Sequence, residues 1–446
     1  MQSVMVESII PIESARKRRI TSYVVFFGSL ICTAVLWLAT LNDYTFIWDD
    51  PFLFFSKLTV LPGIIAMCWT FILATRARLL EYMLGGLEHM YHLHKYVGIT
   101  AFCLINAHVI FQVMRKLPYW QEIVTLFSPA SGWGTFAGVC AFFLFIILMT
   151  LTLSIRIPYH IWKRSHELFI IVLALSFLHI FLLNRHINSS LLLSIWVYTF
   201  MGIAFLSYIY IRFLYFYIGP KHICRVTKIE RMRKTWNIYL EPAKKISYFP
   251  GQFAYVSFDN DLLGKELHPY SFSSHPSQDF IRFSIKELGD YTKEISYLHV
   301  GDQATVWGPY GKFYEKYVFD TKRDAVFIAG GIGITPFLSM CGYEALNPTD
   351  RKTYIYYCVK EASRADFDTE IEGYAEKNPN IKLITHCTTS RGFLRMEELK
   401  ELPGGLTNKN FFICGPSAMM FAFAKQLRAL GVKNRNIIME QFDLLN

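Results

Sequence analysis

Six apolar stretches crowd the first half of this 446-residue chain, at about residues 20–41, 52–74, 91–114, 133–155, 165–183 and 191–218. A helix rises about 1.5 Å per residue and a hydrocarbon core is about 30 Å thick, so each stretch is long enough to span a membrane. Six crossings return both ends of the bundle to one side. The whole chain is 53% hydrophobic, too apolar for an ordinary soluble protein, yet the excess lies in the first half, so a membrane part precedes a soluble part. The first residues lack the apolar core and small-residue cleavage site of a signal peptide, so the first helix is expected to stay.

Cytoplasmic loops are enriched in Lys and Arg, which orients the bundle. Arg16 to Arg19 precede the first span, Arg76, Arg78 and Lys95 fall between the second and third, and Arg156, Lys163 and Arg164 between the fourth and fifth. The opposite loops carry Asp43, Asp49 and Asp50, then Arg115 with Lys116, then Arg185. Both termini are therefore expected in the cytoplasm, in a plasma (inner) membrane. The net charge of +10 invites a nucleic-acid reading, but the longest basic run is Arg16 to Arg19 and the excess sits where topology needs it. Anionic lipid is the simpler partner. Nine cysteines without a C-x-x-C give no support to iron–sulfur, zinc-ribbon or dithiol chemistry. Asn188-Ser189-Ser190 forms a sequon, a short pattern frequent by chance.

Histidine is costly in hydrocarbon and usually marks function there. His94 and His108 stand fourteen positions apart in the third span, and His166 and His179 thirteen apart in the fifth. Each interval is roughly 20 Å of helix, enough to put one imidazole near each face of the bilayer. At about 100° per residue the first interval returns to within about 40° of one helix face, whereas the second diverges by about 140°. The fifth helix then needs a bulge, or its two histidines approach their partners at different angles. A lone buried histidine usually bonds a backbone carbonyl; four in matched pairs point to ligation of two haem irons, His94 with His166 inside and His108 with His179 outside. His89, His92, His160 and His186 lie at expected helix ends, where a wet or headgroup role fits.

After Gly219-Pro220 short β-branched and aromatic runs alternate with Gly, Pro, Asn and Asp to about residue 320, the texture of a small antiparallel barrel. From Asp324 strand-like runs at 325–329, 353–359, 381–386 and 410–414 alternate with helical stretches, as in a parallel α/β sheet. The expected fold is thus a six-helix membrane bundle, an antiparallel β-barrel and an α/β nucleotide-binding domain. The expected boundaries are 1–19 for an N-terminal segment, 20–218 for the bundle, 219–322 for the barrel and 323–446 for the last domain.

Within the barrel run His268-Pro269-Tyr270-Ser271-Phe272-Ser273, preceded by Pro250-Gly251-Gln252-Phe253 and followed by Lys286, Gly289 and Thr292, then Gly308-Pro309-Tyr310-Gly311. Beyond it, Gly330-Gly331-Ile332-Gly333-Ile334-Thr335-Pro336 follows a strand and opens a helix, where small residues let backbone amides reach a diphosphate. Cys414-Gly415-Pro416 follows another strand, and Glu440-Gln441-Phe442 lies near the end. Singly, most of these are plausible turns; their order makes the signal specific.

In that order, and with the histidine spacings, the chain resembles the ferric reductase and NADPH oxidase family, whose soluble half is similar to ferredoxin-NADP reductases. The resemblance covers nearly the whole chain from about residue 20. It implies FAD held by the His268–Ser273 motif, with Tyr270 packed on the flavin, Ser271 aimed at the ring nitrogen that takes hydride and His268 near the pyrophosphate. Lys286, Gly289 and Thr292 look like the family's diphosphate stretch. It further implies NADPH bound by Gly330, Gly331, Gly333, Thr335, Pro336, Cys414, Gly415 and Pro416, with Cys414 beside the nicotinamide and Phe442 as the stacking aromatic, although four residues follow Phe442 where members often stop. Arg364 and Arg391, with Lys360 in reserve, could pair with an adenosine 2′-phosphate and favour NADPH over NADH.

The implied activity is transmembrane electron transfer from cytosolic NADPH through FAD and two b-type haems to an acceptor outside. NADPH gives two electrons as hydride, haem takes one at a time, and flavin can do both. Molecular oxygen giving superoxide is the leading acceptor, a ferric chelate or cupric ion the next. A membrane cytochrome serving an extracytoplasmic redox partner is a reading of another class, for which outer loops of about 10 to 20 residues are small. The three parts leave no room for a calcium-binding or adaptor module, so no obligatory protein regulator is expected.

Overall fold

The computed structural model describes residues 12–41, 46–154, 157–183, 190–263, 266–311 and 313–440, and divides into two compact units, residues 15–217 and residues 218 onward. Phe442, His186, Arg185, Arg156, Asp43, Asn188 and Ser189 lie outside the described residues, as do the side chains of Arg16, Lys17, Arg78 and His160.

The first unit carries six helices long and apolar enough to cross a membrane. They are α1 (Ile12–Leu38), α2 (Pro51–Leu73), α3 (Leu87–Lys116), α4 (Trp133–Leu153), α5 (Tyr159–Glu167 and Phe169–Leu182) and α6 (Leu191–Ile209, running on through a π turn, Tyr210–Leu214). Local chemistry sets their starts. The Asp50 carboxylate accepts the Leu53 amide at 2.9 Å with Pro51 opening α2, and the Ser190 hydroxyl receives Leu193 N at 3.4 Å to open α6. Tight packing of α2 on α3 depends on Gly63, where a Cβ would stand 3.2 Å from Ile105 Cγ1 and Leu104 Cβ. Polar ties fix α1: Trp69 Nε1 donates to Ser29 Oγ at 3.0 Å and Trp196 Nε1 to Thr33 Oγ1 at 2.8 Å. Such bonds hold register where hydrocarbon cannot solvate the groups.

The helix α5 breaks at Leu168, between its two histidines. Leu168 N bonds back to Ser165 O at 3.1 Å, a tightened turn that interrupts the ideal phase. The sequence spacing demanded either a bulge or unequal approach, and the chain has an interruption.

In the second unit six antiparallel strands, β1 (Lys221–Met232), β2 (Thr235–Pro242), β3 (Phe253–Asp259), β4 (His268–Ser271), β5 (Ile281–Lys286) and β6 (Gln303–Tyr310), follow the order β4-β3-β6-β1-β2-β5. A bridge between Phe272 and Phe283 brings the two edge regions together around a core that includes Phe258, Phe272 and Phe283. Five parallel strands follow: β7 (Asp324–Gly330), β8 (Thr353–Val359), β9 (Ile381–Cys387), β10 (Lys409–Cys414) and β11 (Ile437–Met439), in the order β11-β10-β7-β8-β9. Helices α7 (Thr335–Leu346), α8 (Asp368–Lys377) and α9 (Ser417–Ala429) connect them. Phe327 stacks on Phe337 at 4.6 Å to fasten α7 to the sheet. The two sheets are tied by Arg282 of β5, whose guanidinium donates to both oxygens of Glu370 on α8 at 3.0 and 2.7 Å.

Candidate functional site

The four histidines of the membrane unit are half-buried, and their rings are aimed by neighbouring helices. His94 Nδ1 donates to Thr70 O at 2.9 Å, His108 Nδ1 to Ser56 O at 3.1 Å, and His179 Nδ1 to Gly134 O at 2.8 Å. A carbonyl only accepts, so each Nδ1 carries the hydrogen and each Nε2 keeps its lone pair, the tautomer that ligates metal. His166 is held differently, stacked on Trp162 at 4.8 Å and edge-on to Phe169 at 5.0 Å, with Nδ1 3.5 Å from Thr152 Oγ1.

The ring centroids of His94 and His166 are 6.0 Å apart. Two metal–imidazole bonds of about 2 Å plus two ring radii of about 1 Å require roughly 6 Å, so the ring separation matches that of two imidazoles sharing one ion. Among the described residues no group of three or more His, Cys, Asp or Glu could hold a metal ion. A pair of imidazoles supplies axial ligands only; a tetrapyrrole would have to supply the rest, so the donor set fits haem better than a bare ion. His108 and His179 line one cavity of about 210 Å³, together with Lys57, Gln112, Phe145 and Ser176.

Seating of His179 requires Gly138: a Cβ there would overlap the ring at Nδ1 and stand 2.7 Å from Cε1. Of the spare histidines, His92 is exposed as expected, but His89 is buried. Its Nε2 lies 2.8 Å from Ser22 Oγ, because α1 brings a polar partner to it, and the wet role anticipated for it is corrected to a helix-packing one.

In the barrel, His268, Pro269 and Tyr270 are half-buried on β4 and Ser271 is buried beside them. The Tyr270 hydroxyl is buried without a hydrogen-bond partner among the described residues, and burial raises its ionisation well above the ordinary phenol range. A buried, unsatisfied hydroxyl is costly unless a ligand completes it, which fits a flavin nucleotide here. Phe272 and Ser273 face inward. Phe272 stacks on Tyr248 at 4.1 Å, and the Ser273 hydroxyl donates to Arg282 O at 3.0 Å. Thr292 Oγ1 accepts Leu288 N and Gly289 N, both at 2.9 Å, and caps a short turn. Lys286 instead reaches the glycine-rich loop, with Nζ 3.6 Å from where a Gly331 Cβ would be.

That loop joins β7 to α7 at the carboxyl edge of the parallel sheet, where ligands of such sheets bind. Gly331 has φ +55° and only Lys286 within 4 Å of a built Cβ. At Gly333 a Cβ would overlap the Cys414 carbonyl, so this glycine lets the loops after β7 and β10 touch. Gly330 likewise meets Pro416 and Met419, and Gly415 has φ +153°. The Thr335 hydroxyl donates to Ile332 O at 3.0 Å, and Pro336 stands in the first turn of α7. Cys414 is buried at the end of β10, its thiol pushed up by burial and then by Glu440. Glu440 Oε1 accepts Phe313 N at 3.0 Å, which ties the residue after β11 to the segment that follows β6. Arg364 and Arg391 are exposed on the loops after β8 and β9. Thr389 N donates to Lys360 O at 3.1 Å and ties those loops together, so Lys360, Arg364 and Arg391 share one corner of the sheet.

Sequence reasoning passed over Ser56, Gln112, Thr70 and Gly138, whose parts depend on helix contacts. Lys57 was also passed over, although a charge inside an apolar run is itself a signal.

Residues 59–177 match the ferric reductase like transmembrane component family, residues 226–324 an FAD-binding domain family and residues 327–425 the oxidoreductase NAD-binding domain family. Flavohemoprotein A of Dictyostelium discoideum is 28% identical over 236 residues, 48% of this chain and 58% of that protein. The ferredoxin reductase component of 3-ketosteroid-9-alpha-monooxygenase from Mycolicibacterium smegmatis is 29% identical over 208 residues, 46% of this chain and 58% of its own. This chain thus spans less than two thirds of the length of either relative. A ferredoxin NADP+ reductase from Neisseria gonorrhoeae, solved with bound FAD and NADP, aligns with 50% of this chain and 100% of its own at TM-score 0.45 and 18% identity. A ferric-reductase-like membrane component, a flavin domain and a nucleotide domain thus follow one another in one polypeptide, which is the ferric reductase/NADPH oxidase architecture.

Proposed function

We propose that the protein carries electrons from cytosolic NADPH to an acceptor on the opposite membrane face, with molecular oxygen as the acceptor and superoxide as the product. The balance is one NADPH and two O2 giving NADP+, two superoxide anions and one proton. When bound, FAD would supply the change from a hydride pair to single electrons, and two b-type haems, held by His94 with His166 and by His108 with His179, would supply one-electron carriers across the bilayer. The observation that carries the reading is the 6.0 Å spacing of the His94 and His166 rings, with His94 already rotated by Thr70 O to expose Nε2.

The chain's own residues then divide the work. Lys360, Arg364 and Arg391 receive the adenosine phosphate, Gly331 and Lys286 the diphosphate, and Cys414 lies beside the nicotinamide. Tyr270 would pack on the flavin and Ser271 would hold its hydride-accepting edge, while Phe442, outside the described residues, is given the stacking role by resemblance alone. With His108 and His179 both given to holding the outer haem, the acceptor would be reduced without binding its iron. Lys57, on the wall of the outer cavity, stabilises the anion formed there. The orientation with both termini in the cytoplasm is supported by the excess of Lys and Arg before the first span and between the second and third and the fourth and fifth.

The test is anaerobic addition of NADPH and FAD to detergent-purified protein while the haem Soret and α bands are followed, then admission of oxygen with a superoxide-specific probe. Reduction followed by rapid reoxidation with superoxide is expected. Haems that stay reduced in oxygen but reoxidise with a ferric chelate would replace this reading with metalloreduction.

A further inference from the structure

The four histidines differ in how their Nδ1 atoms are held, and His108 alone among them has a side-chain hydroxyl at short range. Ser56 Oγ on α2 stands 2.7 Å from His108 Nδ1, closer than the Ser56 carbonyl at 3.1 Å. The Thr59 hydroxyl is divided between Phe55 O at 2.9 Å and this carbonyl at 3.1 Å. The Ser56 hydroxyl is therefore the main acceptor of the His108 Nδ1 hydrogen. It is fully buried, and Gln112, one turn beyond His108 on α3, donates Nε2 to it at 2.8 Å. His94 and His179 rest on single carbonyls and His166 has only the distant Thr152 hydroxyl.

We propose that Ser56 and Gln112 are positioning residues that set the reduction potential of the outer haem through His108. A hydrogen bond from Nδ1 raises the basicity of the ring, and a more basic axial ligand stabilises ferric over ferrous iron. Ser56 Oγ pulls the potential down. Gln112 opposes it, because a hydrogen bond donated into the same oxygen reduces what that oxygen can accept from His108. The pair is a two-sided adjustment of the last carrier before the acceptor, and it is absent from the other three ligands. The inference rests on the reading that His108 and His179 clamp an iron.

The experiment is a spectroelectrochemical titration of both haems in the full-length purified protein, comparing wild type, Ser56→Ala, Ser56→Thr and Gln112→Leu, with haem content and low-spin spectra recorded alongside. Ser56→Ala leaves the weaker carbonyl as acceptor and should raise the potential of one haem only. Gln112→Leu should lower that same potential, and Ser56→Thr should restore the wild-type value. Equal displacement of both haems, shifts of the same sign in the Ala and Leu variants, or unmoved potentials would overturn the proposal. Gln112 lines the cavity, so its variant still decides the matter if Ser56→Ala loses haem. Absence of a second haem from the wild type would instead defeat the underlying reading, whereas a bound haem with unmoved potentials defeats only the tuning.

Discussion

The membrane unit and the soluble unit prepare their ligand sites by opposite means. Between the helices the site is made of side chains, four imidazoles rotated into place by groups on neighbouring helices. At the carboxyl edge of the parallel sheet it is made largely of backbone, with glycines that let loops meet or leave space open. A bilayer explains the difference. Helices there must satisfy their own amides internally and offer little backbone to a ligand, whereas strand ends and helix starts in the soluble unit present free backbone groups. A substitution in the bundle should therefore remove a cofactor outright, while one at the sheet edge should change affinity by degrees.

The sharpest way to break this contrast is Gly138→Ala. The added methyl would overlap His179 Nδ1, so the ring must leave its bond to Gly134 O. Overpacking costs about 1–3 kcal/mol and the lost hydrogen bond about 1 kcal/mol more. Purified Gly138→Ala protein should keep the inner haem, lose the outer one and still reduce FAD with NADPH, as should His179→Ala. Gly202→Ala on α6 has open space around it and serves as the control. Full haem content in Gly138→Ala, measured as the pyridine haemochrome, would show that the outer site tolerates movement.

In the soluble unit two neighbouring glycines should separate strongly. Gly333→Ala drives a methyl into the Cys414 backbone, 2.5 Å from its carbonyl carbon and 2.7 Å from Gly415 N, so the loops after β7 and β10 must part. Gly331→Ala meets nothing but the flexible end of Lys286 and suffers mainly from its φ of +55°, about 1–2 kcal/mol. NADPH oxidation should collapse in the first and fall about tenfold in the second, with haem content unchanged in both. Equal loss would mean that the loop as a whole, and not its contact with Cys414, carries binding.

How much of this was legible in the sequence follows the same division. Hydropathy located all six spans because a bilayer imposes length and composition together, and the runs at 325–329, 353–359, 381–386 and 410–414 all fall within β7 to β10. The thirteen-residue step from His166 to His179 announced a departure from ideal helix, and the break at Leu168 answers it. What seats each ring was not legible. Thr70 and Gly134 act through carbonyls, which every residue has, and Ser56 through a hydroxyl that nothing in its own helix singles out, so only the packing of α2 on α3 and of α4 on α5 selects them. His89 illustrates the limit from the other side, since a helix-end histidine reads as wet until Ser22 of α1 is found beside it. Phe272 and Ser273 sit within the flavin motif, yet both turn inward, one onto Tyr248 and the other into the Arg282 network.

A smaller effect is expected where cations meet the nucleotide. Arg391 and Arg364 are exposed, and Thr389 ties the loops that carry them. A charge-assisted bond to phosphate is worth about 1.5–3 kcal/mol. Arg391→Ala should raise the KM for NADPH about 10- to 100-fold and leave NADH nearly unchanged. A parallel rise for both nucleotides would remove Arg391 from the 2′-phosphate.

The smallest effect concerns protons, and here the soluble site should behave as quietly as the backbone that builds it. Cys414 lies where the nicotinamide is expected, but burial, and after it Glu440, push its thiol up from the ordinary value of about 8.5. It therefore stays neutral through the working range, and NADPH-driven flavin reduction should show no thiol titration between about pH 7 and 9. The linkage has a definite sign. The unfolded chain sheds this proton first, so the folded state is fully favoured below about pH 8.5 and loses about 1.4 kcal/mol per pH unit above it until the folded thiol also ionises. Cys414→Ala should flatten that alkaline decline in denaturant stability, leaving the share due to groups such as Cys224, Cys341 and Cys358, whose thiols are also raised by burial. A thiol-like midpoint in the rate that disappears in Cys414→Ala would mean that the cysteine ionises during hydride transfer, and the soluble site would then depend on side-chain chemistry as the membrane site does.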